Sequence, residues 1–294
     1  MSTIDPDLRI GAVHLAVGDL PRSLDFYERV LGLPLISADD ETASLGVDRA
    51  HPALALTRLA DPTPAPHGSS GLFHVAWLHP SRASLAETVR RVAAAGWPIE
   101  GASDHGVSEA LYLGDPDGLG IEIYSDRPRE QWERPPEGQR VRMYTLPLDI
   151  EDLLAQSLEA PAATMAPGSG IGHVHMKVAD ASRANDFYRD ALGFEEQAQI
   201  PSAAFLSAGG YHHHVGLNSW QSRGGARSPD SAPGLRRVDF ELTGPAALEQ
   251  LAGRLEESRA GAPVERGEAG SILLRDPDGQ PLLFSDSRSS HAGT

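Results

Sequence analysis

The sequence predicts an α+β chain built from four βαβββ modules, and three observations predict it. Residues 10–33, IGAVHLAVGDLPRSLDFYERVLGL, recur at residues 171–194 as IGHVHMKVADASRANDFYRDALGF, an offset of 161 positions. Asp115-Pro116-Asp117-Gly118 returns as Asp276-Pro277-Asp278-Gly279 at the same offset, so the repeated unit spans nearly half of the 294 residues. A repeat of that size is a duplicated domain rather than a solenoid unit of about 20 to 50 residues. Each half then divides again, because an apolar strand-like segment followed by an amphipathic helical one occurs twice within it.

The elements follow in order. Residues 10–17 alternate and predict a strand, after which Leu20, Leu24, Tyr27 and Leu31 lie at helical spacing behind the capping candidate Asp19. Residues 72–78 are a second apolar segment, and residues 84–95 a second amphipathic helix, stopped by Gly96. Three short strands are expected after each helix; in the second module they include residues 110–113 and 120–124, joined by Asp117-Gly118. The modules fall near 10–60, 71–126, 170–220 and 235–286. Paired in chain order they give an N-terminal domain over 1–126 and a C-terminal domain over 170–286, with an exchange of modules between the halves left open. Residues 127–169, with Pro128, Pro135, Pro136, Pro161 and Pro167, read as a linker with a short helix at 150–158. Residues 221–234 read as an exposed loop and 287–294 as a flexible tail. The Asp-Pro-Asp-Gly turns, kept in both halves, read as structural.

Charge and composition narrow the function. With 41 acidic against 25 basic residues and a net charge of −16, the chain is repelled by phosphate backbones and anionic lipid. Nucleic acid and membrane are therefore not expected partners. The absence of cysteine removes disulfides, thiolate ligands and thiol nucleophiles, and suits a reducing compartment. Neither a basic leader nor an apolar run of about 18 residues is found, so a cytoplasmic protein without a cleaved signal is expected.

The chemistry concentrates in one phrase: His105-x5-Leu111-Tyr112-x2-Asp115-Pro116-Asp117-Gly118-x3-Glu122. It spaces a histidine, a tyrosine and a carboxylate across one predicted hairpin, with His74 on the strand upstream. Glu122 sits between Ile121 and Ile123, where burial is costly without a cation or hydrogen-bonding partners.

With these residues, the helices bearing Phe26-Tyr27 and Phe187-Tyr188, and the Leu-Gly pairs that end them, the chain resembles the vicinal oxygen chelate superfamily. That superfamily includes glyoxalases, bleomycin and fosfomycin resistance proteins and extradiol ring-cleaving dioxygenases. GVSEALYLGDPDGLGIEIYSDRP, SAGGYHHHVGLNSW and VRMYTLPLDI are similar to two-domain bacterial catechol 2,3-dioxygenase-like proteins. The resemblance implies that the four modules pair into two glyoxalase/extradiol dioxygenase-like domains. Each would be a U-shaped sheet whose cup holds a divalent metal on first-strand and last-strand residues.

Carried over by position, the resemblance makes His74 and Glu122 metal ligands, and His105 and Tyr112 the catalytic residues that contact substrate. The remaining first-strand ligand position falls at Ala12. Because strand side chains repeat every two residues, His14 faces the same side. His14, His74 and Glu122 would then form a two-histidine, one-carboxylate face suited to Fe(II), with Mn(II) as the alternative ion. One repeat later His173 stands where Ala12 does, but Arg237 and Leu283 replace His74 and Glu122. A second, histidine-only candidate site remains there: His173 with His212 and His214, which share a face by strand parity.

The implied activity is metal-dependent extradiol cleavage of a catechol or related vicinal diol aromatic, with the diol and dioxygen as partners and a homodimer as a compatible assembly. Two alternatives stay open. One is a glyoxalase-like isomerase or hydrolase using Ni(II) or Zn(II); the other is a non-catalytic small-molecule binding or resistance protein. The pair His105 and Tyr112 favours the dioxygenase.

Overall fold

The computed structural model describes residues 3–134, 140–157, 160–258, 264–267 and 270–286. The tail at 287–294, and Pro135 and Pro136 of the linker, lie outside the described residues.

The first module comprises β1 (Arg9–Val17), α1 (Leu20–Asp25), β2 (Leu35–Ala38), β3 (Thr42–Gly46) and β4 (Pro52–Arg58). The second comprises β5 (Gly71–His79), α2 (Arg82–Ala94), β6 (Gly101–Asp104), β7 (Ser108–Gly114) and β8 (Gly120–Asp126). The linker contributes β9 (Leu146–Pro147) and α3 (Ile150–Ala155). The third module is β10 (Gly170–Lys177), α4 (Ala181–Asp186), β11 (Glu195–Ile200), β12 (Ala203–Ser207) and β13 (Val215–Asn218). The fourth is β14 (Gly234–Leu242), α5 (Pro245–Glu257), β15 (Glu265–Arg266), β16 (Ile272–Arg275) and β17 (Pro281–Asp286).

Local chemistry starts the helices where the sequence places them. Asp19 accepts from the Arg22 amide at 3.0 Å, and Asp180, its repeat, from Ser182 and Arg183. Ser81 and Ser84 form a reciprocal cap on α2. Among the described residues no helix is long and apolar enough to cross a membrane.

The strands form two sheets, of eight strands in the order β15-β16-β17-β14-β1-β4-β3-β2 and of nine in the order β11-β12-β13-β10-β5-β8-β7-β6-β9. Module one therefore pairs with module four, and module two with module three. This corrects the expectation that 1–126 and 170–286 each close a sheet of their own. Each sheet takes one module from each half, joined through antiparallel first strands, β1 with β14 and β5 with β10. Periodicity identifies equivalent strands, but equivalent strands offer equivalent edges; cross-strand side-chain pairing decides between them.

Within each half the contacts are of another kind. The Tyr27 hydroxyl donates to Asp115 at 3.0 Å and the Gly18 amide to Asp117 at 2.8 Å, so the first module's strand end and helix grip the second module's hairpin turn. Tyr188 with Asp276 and Ala179 with Asp278 repeat the clasp in the other half. Burial pushes the Asp115 and Asp276 carboxyls up to about 6. The linker also joins the structure: β9 extends the second sheet beside β6, and α3 packs on α2.

Candidate metal centre

The second sheet brings the chemistry together by register. Ala76 of β5 stands opposite Glu122 of β8 on one side and His173 of β10 on the other. Tyr112 of β7 stands opposite Glu122. Cross-strand partners share a face, so Tyr112, Glu122, Ala76 and His173 form one row, with His74 one pleat away on the same face. Ala76 contributes only a methyl group, and the longer side chains converge over it.

His74 Nε2 lies 2.9 Å from Glu122 Oε2, and His173 Nε2 lies 3.3 Å from both His74 Nε2 and Glu122 Oε2. All three residues are buried. Among the described residues they form the group of His, Asp and Glu side chains whose ligand atoms converge tightly enough to hold one ion. Three ligand atoms about 2.1 Å from a common cation, at right angles, are separated by about 3.0 Å. The observed separations and the donor set both fit a two-histidine, one-carboxylate face. Protonation fits as well. Burial lowers His173 to about 4 against the opposing pull of Glu122, which leaves a neutral imidazole. Burial would raise Glu122, but His173 and His74 outweigh it and hold the carboxyl well below its usual range.

Glycine makes room for this arrangement at two points. A Cβ at Gly172, where β10 shifts register beside His173, would collide with the Tyr124 hydroxyl. Gly106, with φ +76°, turns the chain after His105 where a Cβ would meet the Tyr144 ring at 2.5 Å.

His105 and Tyr112 adjoin the triad. His105 Nδ1 is 2.7 Å from the Tyr144 carbonyl, which only accepts, so in the neutral ring Nε2 accepts from the Tyr112 hydroxyl at 2.6 Å. Burial and then the Glu122 charge raise the Tyr112 phenol well above its ordinary value, keeping it a proton donor. His175 faces His74 across the strands, and its Nε2 accepts from Asn218 Nδ2 at 3.1 Å. Phe73, Phe205 and Trp220 ring His175 at centroid distances of 5.0 to 5.7 Å, with Trp220 half exposed at the rim. A cavity of about 890 Å³ reaches His74 and Tyr112 and runs along Gly71 and Lys177 towards Arg227 and Arg236.

Two expected assemblies do not form. His14 lies in the other sheet, where its Nε2 is 2.8 Å from Asp239 Oδ2, and Arg237 bonds the same carboxylate at 2.5 and 3.0 Å. His14 thus joins neither His74 nor Glu122, because module one pairs with module four. In that cup Asp239 takes the place of Ala76 opposite Ala12 and Leu283, and a guanidinium stands where a cation would.

Among the described residues the histidine-only set does not converge on one point either. His212 Nε2 bonds Asp126 at 2.9 Å, and His214 Nδ1 accepts from the Ala208 amide at 3.1 Å. The run precedes β13 in a bent, irregular segment, where strand parity does not hold; the His213 ring instead packs tilted against His173, with centroids 4.0 Å apart. Tyr144, Asp126 and Asn218 lie within the segments that carry the resemblance, but the sequence assigned them no role of their own. Their roles arise only when the linker and the third module fold over the second.

The family model described as Glyoxalase/Bleomycin resistance protein/Dioxygenase superfamily matches residues 9–123 and 170–284. The chain is 40% identical to a catechol-2,3-dioxygenase of Bacillus subtilis (strain 168) over 280 residues, covering 94% of this chain and 96% of that protein. Two solved structures share the fold at low identity. A candidate dioxygenase from Bacillus subtilis has a TM-score of 0.68 at 16% identity, covering 99% of this chain and 88% of that one. Glyoxalase I from Zea mays has a TM-score of 0.59 at 17% identity, covering 97% and 96%.

Proposed function

The chain belongs to the glyoxalase/bleomycin resistance protein/dioxygenase superfamily, and we propose that it is a metal-dependent extradiol dioxygenase that opens the ring of a catechol or related vicinal aromatic diol. One observation carries this reading: the buried face of His74, Glu122 and His173 has the His105–Tyr112 pair beside it. The 40% identity to a catechol-2,3-dioxygenase over nearly the whole chain supports it. Fe(II) is the ion we assign, with Mn(II) as the alternative, because this donor set suits it and leaves open positions. A bound ion supplies the Lewis acidity and redox chemistry that a diol and dioxygen require.

The protein's residues supply the rest. Phe73 and Trp220 line an apolar approach for a flat ring. The Tyr112 hydroxyl holds its proton and donates it toward a negative oxygen of the bound diol. His105 Nε2, freed when Tyr112 turns to substrate, accepts a proton from the diol, while the Tyr144 carbonyl fixes the ring. The cluster offers three protein ligands among the described residues, which favours this reading over a glyoxalase-like site with a fourth.

The experiment is anaerobic purification with metal quantification, then oxygen uptake on a panel of catechols, for wild type, Glu122→Ala and His173→Ala. The expected result is stoichiometric metal and catechol-dependent uptake in the wild type and loss of both in each variant. Wild type without stoichiometric metal, or turnover indifferent to Glu122, overturns the reading.

A further inference from the structure

Lys177 is the only lysine among the 25 basic residues of the sequence. It ends β10, the strand that carries His173 and His175, and lies opposite Gly71 of β5 and Asn218 of β13. Because Gly71 has no side chain, nothing on β5 covers it. The register shift between His175 and Met176 skips Phe73 on β5, a bulge that puts Leu72 in the core opposite Met176, while Lys177 follows His173 and His175 on the face that lines the cavity.

Lys177 is half-buried, yet among the described residues it has neither ion pair nor hydrogen bond. Burial alone depresses its ammonium, with no carboxylate opposing. A partly desolvated cation without an anion is costly, and a chain of net charge −16 has carboxylates to spare. Its neighbours along the cavity are cationic too. Arg236 bonds carbonyl oxygens, those of Asp230 and Ala232 at 2.8 and 2.6 Å, and Arg227 pairs with the exposed Asp230. Of the carboxylates nearby, Asp117 is engaged by Gly18 and Arg22, Glu100 stands by the second module's hairpin, and Asp276 and Asp278, which line a small adjoining pocket with Lys177, are held by Tyr188 and Gln280 and by the Ala179 amide.

The other end of the cavity is lined by His74 of the triad and by Tyr112. Lys177 lies two residues beyond His175, which faces His74, or about 7 Å along the strand. That is the span of an aromatic ring bearing a short acid side chain. We infer that Lys177 determines specificity by binding the carboxylate of an aromatic diol whose hydroxyls sit at the triad, so that the preferred substrates are dihydroxyphenyl carboxylic acids.

This rests on the dioxygenase reading, and the test separates the two. Oxygen uptake is measured for wild type, Lys177→Gln and Lys177→Arg with 3,4-dihydroxyphenylacetate and with neutral 4-methylcatechol. Wild type should prefer the acid, and in Lys177→Gln the ratio of kcat/KM, acid over neutral, should fall about tenfold or more through KM, with Lys177→Arg recovering part of it. Cleavage of both diols without preference for the acid, or an unchanged ratio in Lys177→Gln, overturns the inference and leaves the dioxygenase reading standing.

A second measurement does not depend on turnover. Since only Lys177 and the chain terminus carry primary amines, acylation followed by peptide mass spectrometry reports Lys177 directly. The dihydroxyphenyl acid should protect it and 4-methylcatechol should not. If the acid gives no protection, the inference fails even where no catechol is cleaved.

Discussion

His74 and His173 stand 99 positions apart in sequence, on β5 and β10, and their Nε2 atoms meet at 3.3 Å beside one oxygen of Glu122. One imidazole belongs to each half of the duplicated chain. The candidate metal site therefore exists only where the halves join.

Replacing His173 by alanine should cost as much metal as replacing His74, more than about a hundredfold in affinity. His14→Ala should retain the metal, since His14 is held by Asp239 and Arg237 in the other sheet. Metal content after dialysis against a weak chelator checks this; a His14→Ala protein that loses its metal contradicts the assignment.

Tyr112→Phe removes one hydroxyl and leaves the three ligands in place. It should lower kcat by about 10² to 10³-fold with metal content unchanged. Steady-state oxygen uptake alongside metal analysis distinguishes this from loss of the site.

The two clasp carboxyls make a pH prediction. Asp115 and Asp276 are raised to about 6 in the fold, against about 3.9 in an unfolded chain. Groups raised in this way contribute stability that is fully present below the unfolded value and lost as pH rises through the folded one. Each should cost on the order of 2 to 3 kcal/mol between about pH 4 and pH 6. In Asp115→Asn the amide oxygen can still accept from the Asp117 and Leu119 amides, and Tyr27 can reverse its bond. The stability of this variant relative to wild type should therefore rise with pH, as read by urea denaturation of metal-free protein at both ends of that window.

Arg91 is a buried cation that donates to the carbonyls of Val30, Leu31, Ala162 and Thr164, tying α2 to the first module and the linker. Arg91→Met strands those acceptors and should destabilise the chain by roughly 3 kcal/mol. A several-degree fall in Tm with unchanged metal affinity per folded molecule is the expected signature.

The modules, the helix caps at Asp19 and Ser81, and Glu122 as a buried ligand candidate were legible in sequence because each rests on local spacing. Pairing was not, since β1, β5, β10 and β14 have interchangeable edges. Yet a trace of it lay in the losses. Ala12 lacks a ligand that His173 keeps, and Arg237 and Leu283 lack the two that His74 and Glu122 keep, so only the second and third modules together make a full set. The strand parity assigned to His212 and His214 failed for a different reason: that run is bent and irregular, ahead of the strand proper. Tyr144 was invisible because its contribution is a backbone carbonyl, which any residue type could offer.

The crossed arrangement of modules also has an engineering consequence. A chain cut within the linker would yield two fragments that each hold half of both sheets and expose two first-strand edges. Either fragment alone should be an aggregation-prone solute, and the two together a complementing pair whose recovery of metal depends on their concentration. In the intact polypeptide the linker acts as a tether, turning the meeting of His74 with His173 from a second-order encounter into a step whose yield dilution leaves untouched.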